Sequence, residues 1–500
     1  MRKKVITGII ISNVILILGG LLSFITNRYF ISYIGLPKLG LDNLFKQLLG
    51  YLNLAEMGLS TASTYALYKP LMEKDYQRIN EVIYTMKQIY KKVMLFIFVA
   101  GVLCTFLLPF FMKGYAFSPE VVLYWLMYII NTLMSYLVVI YLILYNADQK
   151  YNFVKIVQGS TQIIFQIIKI AIIIIFKSFF LILVLGLINT VVNLLIFRIY
   201  YQKEYEPKLQ PQAKYQLDRT IIKDIKNIFI HKLSFVLSVN TDIILISTFI
   251  SLSVVGLYSS YLMVLGLWLK VVGSVADIAR SNIGSLNAVS SKQEVYQKFQ
   301  QLNIIYLYFT VLVIVPTYYL IQPFMNLWIN KQLHVKGLVL LLCLNYGMKI
   351  YRGCLDIFKE TGGFFDDIHL PILEGGLNFI ISLILVQKIG LIGVLIGTVV
   401  SDLLITYIYK PILVYQRCFA QQIQAYLHDY LRYVVYVVLA AGSSYLVMKN
   451  YAFEIKTAGD FVLQGIIIFG INAIITTVVF LGDRNFRYDL KELKMIKRPN

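Results

Sequence analysis

Fourteen apolar runs follow one another along the chain, each near the ~20 residues needed to cross a hydrocarbon core of about 30 Å. They predict spans at 5–27, 41–67, 91–112, 120–146, 153–176, 178–199, 228–250, 254–283, 300–322, 337–359, 368–387, 391–414, 430–449 and 460–481. The connections alternate in character. On one side they are short: 113–119, 177, 251–253, 323–336, 388–390 and 450–459. On the other they are longer and basic. There, 68–90 (YKPLMEKDYQRINEVIYTMKQIY) reads as an amphipathic cytoplasmic helix, and 200–227 is the longest polar stretch. The chain is expected to divide into a first lobe over 1–199, a linker over 200–227, a second lobe over 228–414, and two further spans with a basic tail over 415–500.

The second run breaks the apolar pattern. GLDNLFKQLLGYLNLAEMGLSTASTYALYKP (40–70) carries Asp42, Lys46, Asn53, Glu56, Ser60 and Thr64. At about 100° per residue these six fall within roughly 80° of one helix face. A charge at the bilayer centre costs about 2.5–3.5 kcal/mol on insertion scales, so the stripe must face protein or a water-filled cavity. It lines a transport pathway or it binds helix to helix.

Composition agrees with a polytopic membrane protein: 58% of the 500 residues are hydrophobic and 14% are charged, with a mean hydropathy of +0.71. The net charge of +20 is not spread as in a nucleic-acid-binding protein. With span-end residues assigned to the nearer side, 34 Lys and Arg fall on one side and 9 on the other, and Lys46, Lys169 and Lys270 lie inside spans. That positive-inside bias puts both termini in the cytoplasm. Arg2-Lys3-Lys4 before an apolar run resembles a leader peptide, but no small-x-small site follows, and 5–27 is expected to be a retained span. Cys104, Cys343, Cys354 and Cys418 are dispersed without a CxxC, and the four histidines sit near span ends. Neither a metal site nor a disulfide framework is indicated.

An internal repeat supports the two lobes. GLDNLFKQLLG (40–50) and GLYSSYLMVLG (256–266) share Gly, Leu, Leu and Gly at one spacing, 216 residues apart. Both follow an apolar span, as in parallel repeats about an axis along the membrane normal. The eighth span has its own stripe, Ser259, Lys270, Ser274, Asp277 and Ser281, within roughly 60°. Other polar groups inside spans or at their ends include Asn27 and Arg28, the row Gln158, Gln162, Gln166 and Lys169, Asp242, the set Lys349, Arg352 and Asp356, the pair Glu374 and Asn378, and Asp402. The Gln row is read as interhelical hydrogen bonding; Lys349 and Arg352 either anchor the cytoplasmic edge or serve a site.

No GxxxxGK[ST], HExxH or GxSxG is present, so a built-in ATPase and the corresponding hydrolases lack support. No outer connection is long enough to fold a catalytic domain. A transporter rather than an enzyme is expected, with no cofactor.

LLGYLNLAEMGLSTASTYALYKPL (48–71), YNADQKYNF (145–153), NTDIILISTFISLSVVGLYSSY (240–261) and IFKETGGFFDDIHLPILEGGLNFIISLILVQKIGLIGVLIGT (357–398) resemble the Wzx-type polysaccharide repeat-unit flippases of the multidrug/oligosaccharidyl-lipid/polysaccharide exporter superfamily. The last block, with Glu374, Asn378, Gly390, Gly393, Gly397 and Thr398, carries most of the likeness. The resemblance implies an all-α polytopic fold, two six-helix lobes in a V with two C-terminal helices. It implies flipping of undecaprenyl-diphosphate-linked oligosaccharide from the cytoplasmic to the outer leaflet of a bacterial cell membrane. A proton or sodium gradient would drive it, and a polysaccharide polymerase and chain-length proteins would be partners.

Within that expectation, Arg28, Lys46, Asn53, Lys270 and Ser274 are candidate substrate contacts, because long cations beside a cavity suit a diphosphate. Asp42, Glu56, Asp242, Asp277 and Glu374 are candidates for ion coupling or charge balance. These roles come from stripe geometry, not from a family motif. A lipid II flippase and a multidrug/cation antiporter of the same superfamily are the near alternatives, and a polysaccharide polymerase is the alternative outside transport.

Overall fold

A computed structural model describes the chain apart from Met1, 57–58, 210–240, 365–368, 450–454 and 489–500; at some helical positions, including Asn13, Ser274, Asp277 and Ser281, the side chain also lies outside the described residues. The described chain is helical: α1 (Arg2–Tyr33), α2 (Leu36–Leu52), α3 (Leu59–Glu73), α4 (Tyr76–Cys104), α5 (Pro119–Ala147), α6 (Tyr151–Phe176), α7 (Phe179–Glu204), α8 (Thr241–Phe249), α9 (Leu252–Val289), α10 (Lys292–Ile329), α11 (Leu338–Thr361), α12 (His369–Ile389), α13 (Leu391–Ser401), α14 (Lys410–Phe419), α15 (Ile423–Met448) and α16 (Ala458–Phe480). Among the described residues, 11 helices are long and apolar enough to cross a membrane. The expected span 228–250 falls mostly outside them, with only α8 described.

Three expectations change. The second span is not one helix: a 3₁₀ turn over Asn53–Glu56 interrupts it, so its polar stripe does not run straight from Asp42 to Thr64. The segment 68–90 is not a single helix either. It is the end of α3 and the start of α4, joined at Lys74 (φ 56) and capped by Asp75, which accepts from the Arg78 amide at 2.9 Å. Its apolar face is buried, with Ile79, Val82, Met86 and Tyr90 packed among Leu67, Tyr136 and Tyr145. Finally, α10 runs on to Ile329, so the connection read as 323–336 begins only at Asn330 (φ 51).

The chain forms two compact units, Met1–Gly256 and Leu257–Asn500. In the first, α8 and the opening turn of α9 pack with the helices before them. The repeat glycines meet there. A Cβ on Gly40 would lie 1.8 Å from the Leu252 carbonyl oxygen, and one on Gly256 would lie 2.5 Å from that of Leu36. Leu36 and Leu252, like Gly40 and Gly256, are 216 residues apart. The contact is reciprocal, as a local two-fold requires, and bare glycine backbone lets the helices approach this closely.

The YNADQKYNF stretch forms the turn between α5 and α6. Lys150 there donates to Glu204 and, at 3.0 Å, to the Tyr205 hydroxyl; it also lies 3.0 Å from Asp148. Its ammonium sits 4.7 Å from the Tyr205 ring centre. Burial works against that charge, but the carboxylates of Glu204 and Asp148 outweigh it and raise the Lys150 pKa. The stabilisation is therefore present at neutral pH and fades as pH rises through the folded-state value, above the ordinary lysine range. Lys150→Met is expected to melt earlier than the wild type at neutral pH, with the gap closing in strong alkali; thermal melts across pH check this.

Candidate functional site

The first unit gathers polar groups around α2 and the turn that ends it. Asp42 is buried although charged. It pairs with Lys46 one turn on, at 2.7 Å, and accepts a hydrogen bond from Tyr128 on α5. Lys169 on α6 lies within electrostatic reach of both Asp42 and Lys46, with its ammonium 5.7 Å from the Phe30 ring centre. Two lysines thus share one carboxylate. The Lys46 side chain is 58% exposed while that of Asp42 is 11% exposed, so the cation, not its partner, meets the surroundings.

Lower on the same span, Tyr136 donates to Asn53 at 2.9 Å and Tyr90 donates to Glu56 at 3.3 Å. Asp242, in the first turn of α8, lies within electrostatic reach of Tyr51. The stripe is therefore anchored to α4 and α5 by tyrosine hydroxyls, as buried polar groups in a membrane require. Part of the helix-to-helix reading holds too: Gln166 donates to Ser23 at 2.7 Å, tying α6 to α1.

The second unit builds a different cluster from the block at 374–402. Gly390 (φ 61) turns the chain between α12 and α13. The two helices then touch backbone to backbone, for a Cβ on Gly393 would lie 2.4 Å from the Leu385 carbonyl, and one on Gly397 would lie 2.0 Å from Ser382 Oγ. Ser382 donates to Asn378 at 3.0 Å and to the Val394 carbonyl at 3.1 Å. One turn beyond these contacts on either helix stand Glu374 and Asp402, brought opposite each other by the hairpin.

Arg352 on α11 sits between the carboxylates. Its guanidinium is 3.5 Å from Glu374, 3.5 Å from Asp356 and 4.0 Å from Asp402. Lys410 pairs with Asp356 as well, and Thr406 donates to Glu374 at 3.1 Å. Asp402 opens a π-helical turn running to Tyr409; such turns leave the α-helical ladder out of register and recur at functional sites.

Of the residues named from sequence, Asp42, Lys46, Asn53, Glu56 and Asp242 lie on or against α2. Arg28 is exposed on α1 and Lys270 is exposed on α9. The side chains of Ser274 and Asp277 lie outside the described residues. Glu374 belongs to the Arg352 cluster. Lys169, Tyr128, Asp402 and Lys410 were not assigned to a site by stripe geometry, because each reaches its partners from another helix.

No curated protein matches this chain. Among solved structures, the lipid II flippase MurJ in its inward closed conformation is similar, with a TM-score of 0.67 at 15% identity over 94% of this chain and 98% of that one. An inward-facing MATE family multidrug resistance transporter of the MOP superfamily is similar at a TM-score of 0.58 and 15% identity, over 85% of this chain and 98% of that one. At these identities the likeness is one of fold. The profile of the family described as polysaccharide biosynthesis protein matches residues 5–279. The chain, an all-helical multi-pass protein with a MurJ- and MATE-like fold, belongs to the polysaccharide biosynthesis protein family.

Proposed function

We propose that this protein is a flippase that moves undecaprenyl-diphosphate-linked oligosaccharide repeat units from the cytoplasmic to the outer leaflet, supplying capsule, exopolysaccharide or O-antigen assembly. The observation that carries this reading is the excess of positive charge around Asp42: Lys46 and Lys169 share one carboxylate, and Lys46 is open. Two membrane-embedded cations that share one carboxylate among the described residues suit a diphosphate. Arg28 and Lys270 are proposed to serve the same anion, with Asn53 and Ser274 as polar contacts to the sugar. Asp42, Glu56, Asp242, Asp277 and Glu374 balance these cations or couple transport to a proton or sodium gradient. The protein works in the bacterial cytoplasmic membrane with both termini inside, handing its product to a polymerase and chain-length proteins.

The test is the double variant Lys46→Ala/Lys169→Ala. Each lysine that contacts the diphosphate is worth about 1.5–3 kcal/mol as a charge-assisted hydrogen bond, roughly tenfold or more in affinity. Polysaccharide export is expected to fall by at least that factor with expression intact, and the lipid-linked oligosaccharide should accumulate in the inner leaflet. Normal export from the double variant removes the diphosphate reading. Arrest of peptidoglycan synthesis on depletion would point to lipid II instead, and drug sensitivity to an antiporter.

A further inference from the structure

The second span turns a different kind of face outward from those of its neighbours. Along α4 the exposed large apolar residues include Leu95, Phe96, Val99 and Leu103, and along α6 they include Ile164, Ile167, Ile168 and Ile175. Such rows suit hydrocarbon. Among the described residues between Tyr33 and Tyr76, the exposed large apolar side chains are Tyr65, Tyr68 and Met72, with no Leu, Ile, Val or Phe. The exposed positions of α2 are Lys46 and Gly50. Those of α3 are Thr61, Tyr65, Tyr68 and Lys69, then Met72 and Glu73 near its end. Thr61, Tyr65, Tyr68 and Met72 fall within roughly 60° of one helix face. The opposite face, with Leu59, Ala62, Ser63, Leu67 and Pro70, is buried. An exposed face without aliphatic side chains and with a lysine at membrane depth is built for a polar pathway, not for lipid tails.

Tyr65 is 76% exposed and Tyr68 is 48% exposed. Their ring centres lie 6.5 Å apart with the planes at 83°, so the edge of one ring meets the face of the other and both stay open to a ligand. An aromatic face is electron-rich. The C–H bonds on the flat side of a sugar ring carry partial positive charge and lie well against it, while the sugar hydroxyls need polar partners around the rings. Thr61 stands one turn before Tyr65, and the Thr64 hydroxyl, which donates to the Ser60 carbonyl at 2.8 Å, still accepts. We infer that Tyr65 and Tyr68 form a platform on which sugar rings of the carrier-linked oligosaccharide stack. This rests on the flippase reading and extends it: Lys46, exposed on the same span, takes the diphosphate, and the tyrosines take the saccharide. They lie toward the end of the span that this reading places at the cytoplasmic side, where the oligosaccharide enters. Tyrosines of an interfacial belt sit on lipid-facing helices, which this face is not. Organic cations are also drawn to aromatic faces, but the charge exposed within this span is Lys46, which repels them.

The experiment measures export and thiol labelling of the full-length protein in a deletion strain. Tyr65→Leu/Tyr68→Leu keeps apolar bulk and removes both ring faces; export is expected to fall roughly tenfold at unchanged expression, the scale of two ring contacts. Tyr65→Phe/Tyr68→Phe restores the rings and is expected to recover most of that loss. An equal loss in both pairs overturns the role of the rings. Wild-type export from the leucine pair, where Lys46→Ala/Lys169→Ala fails, overturns the platform and leaves the flippase reading standing; normal export from both overturns both. Separately, Tyr65→Cys in inverted membrane vesicles is treated with a charged, membrane-impermeant methanethiosulfonate. Labelling above the background of the four native cysteines is expected. Lipid-linked oligosaccharide extracted from the deletion strain should slow it, and undecaprenyl diphosphate alone should not. No labelling puts the face in lipid and overturns the inference. So does protection by tetraphenylphosphonium but not by the extract, which makes this a cation site.

Discussion

Arg352→Met is expected to lower stability by about 3–5 kcal/mol, the range for removing one partner of a buried charge network. Methionine keeps the length of the side chain and removes the cation. Asp356 still has Lys410, but Glu374 and Asp402 lose the guanidinium 3.5 and 4.0 Å away and keep mainly the Thr406 hydroxyl, with Lys349 at electrostatic range. The Asp402 side chain is only 6% exposed, so water cannot replace that partner. Adding Glu374→Gln should recover part of the loss, because it removes one of the two stranded charges, and the non-additivity measures the coupling. Thermal unfolding of the single and double variants in detergent is the measurement. Melting of Arg352→Met alongside the wild type would mean that the network contributes nothing net and that Arg352 is held for another purpose.

The sequence resolved some levels of this structure better than others, and the reason is physical. Spans are legible because the bilayer demands a long apolar run whatever its partners, and the runs at 120–146, 153–176 and 178–199 became α5, α6 and α7. The break at Asn53–Glu56 was hidden because periodicity assumes one continuous helix; Asn53 and Glu56 were placed on the right chain but turned by the wrong angle. The 68–90 segment was read as one helix because its amphipathic pattern carries on across the break at Lys74. Charge partnerships were least legible. Asp42 and Lys46 are one turn apart and could be paired on paper, whereas Lys169 reaches them from 123 residues away. In the same way Glu374, Asp402 and Arg352 each stood out as polar groups in spans. Nothing local to any one of them announces that a glycine-lined hairpin brings two of them together beside the third.

That hairpin yields the sharpest stability contrast. Gly397→Ala is expected to destabilise by about 1–3 kcal/mol, the range for overpacking, and to reduce export further than its stability loss explains. The new Cβ would lie 2.0 Å from Ser382 Oγ and 2.7 Å from the Ser382 amide nitrogen. The hydroxyl can rotate away, though it would give up its bonds to Asn378 and the Val394 carbonyl; the backbone nitrogen cannot. The helices must therefore separate, and the separation falls about one turn from Asp402 and two from Glu374. Gly376→Ala on α12 supplies the comparison, because a Cβ there meets nothing within 4 Å. It should be neutral or stabilising by up to about 1 kcal/mol, since alanine is the better helix former. Melting temperature and export measured together separate the two outcomes. If Gly397→Ala and Gly376→Ala behave alike, the close crossing of α12 and α13 is not what holds the carboxylates in place. If only Gly397→Ala loses stability and export, the glycines of the 390–398 block are retained because a Cβ there would pull the acid pair apart.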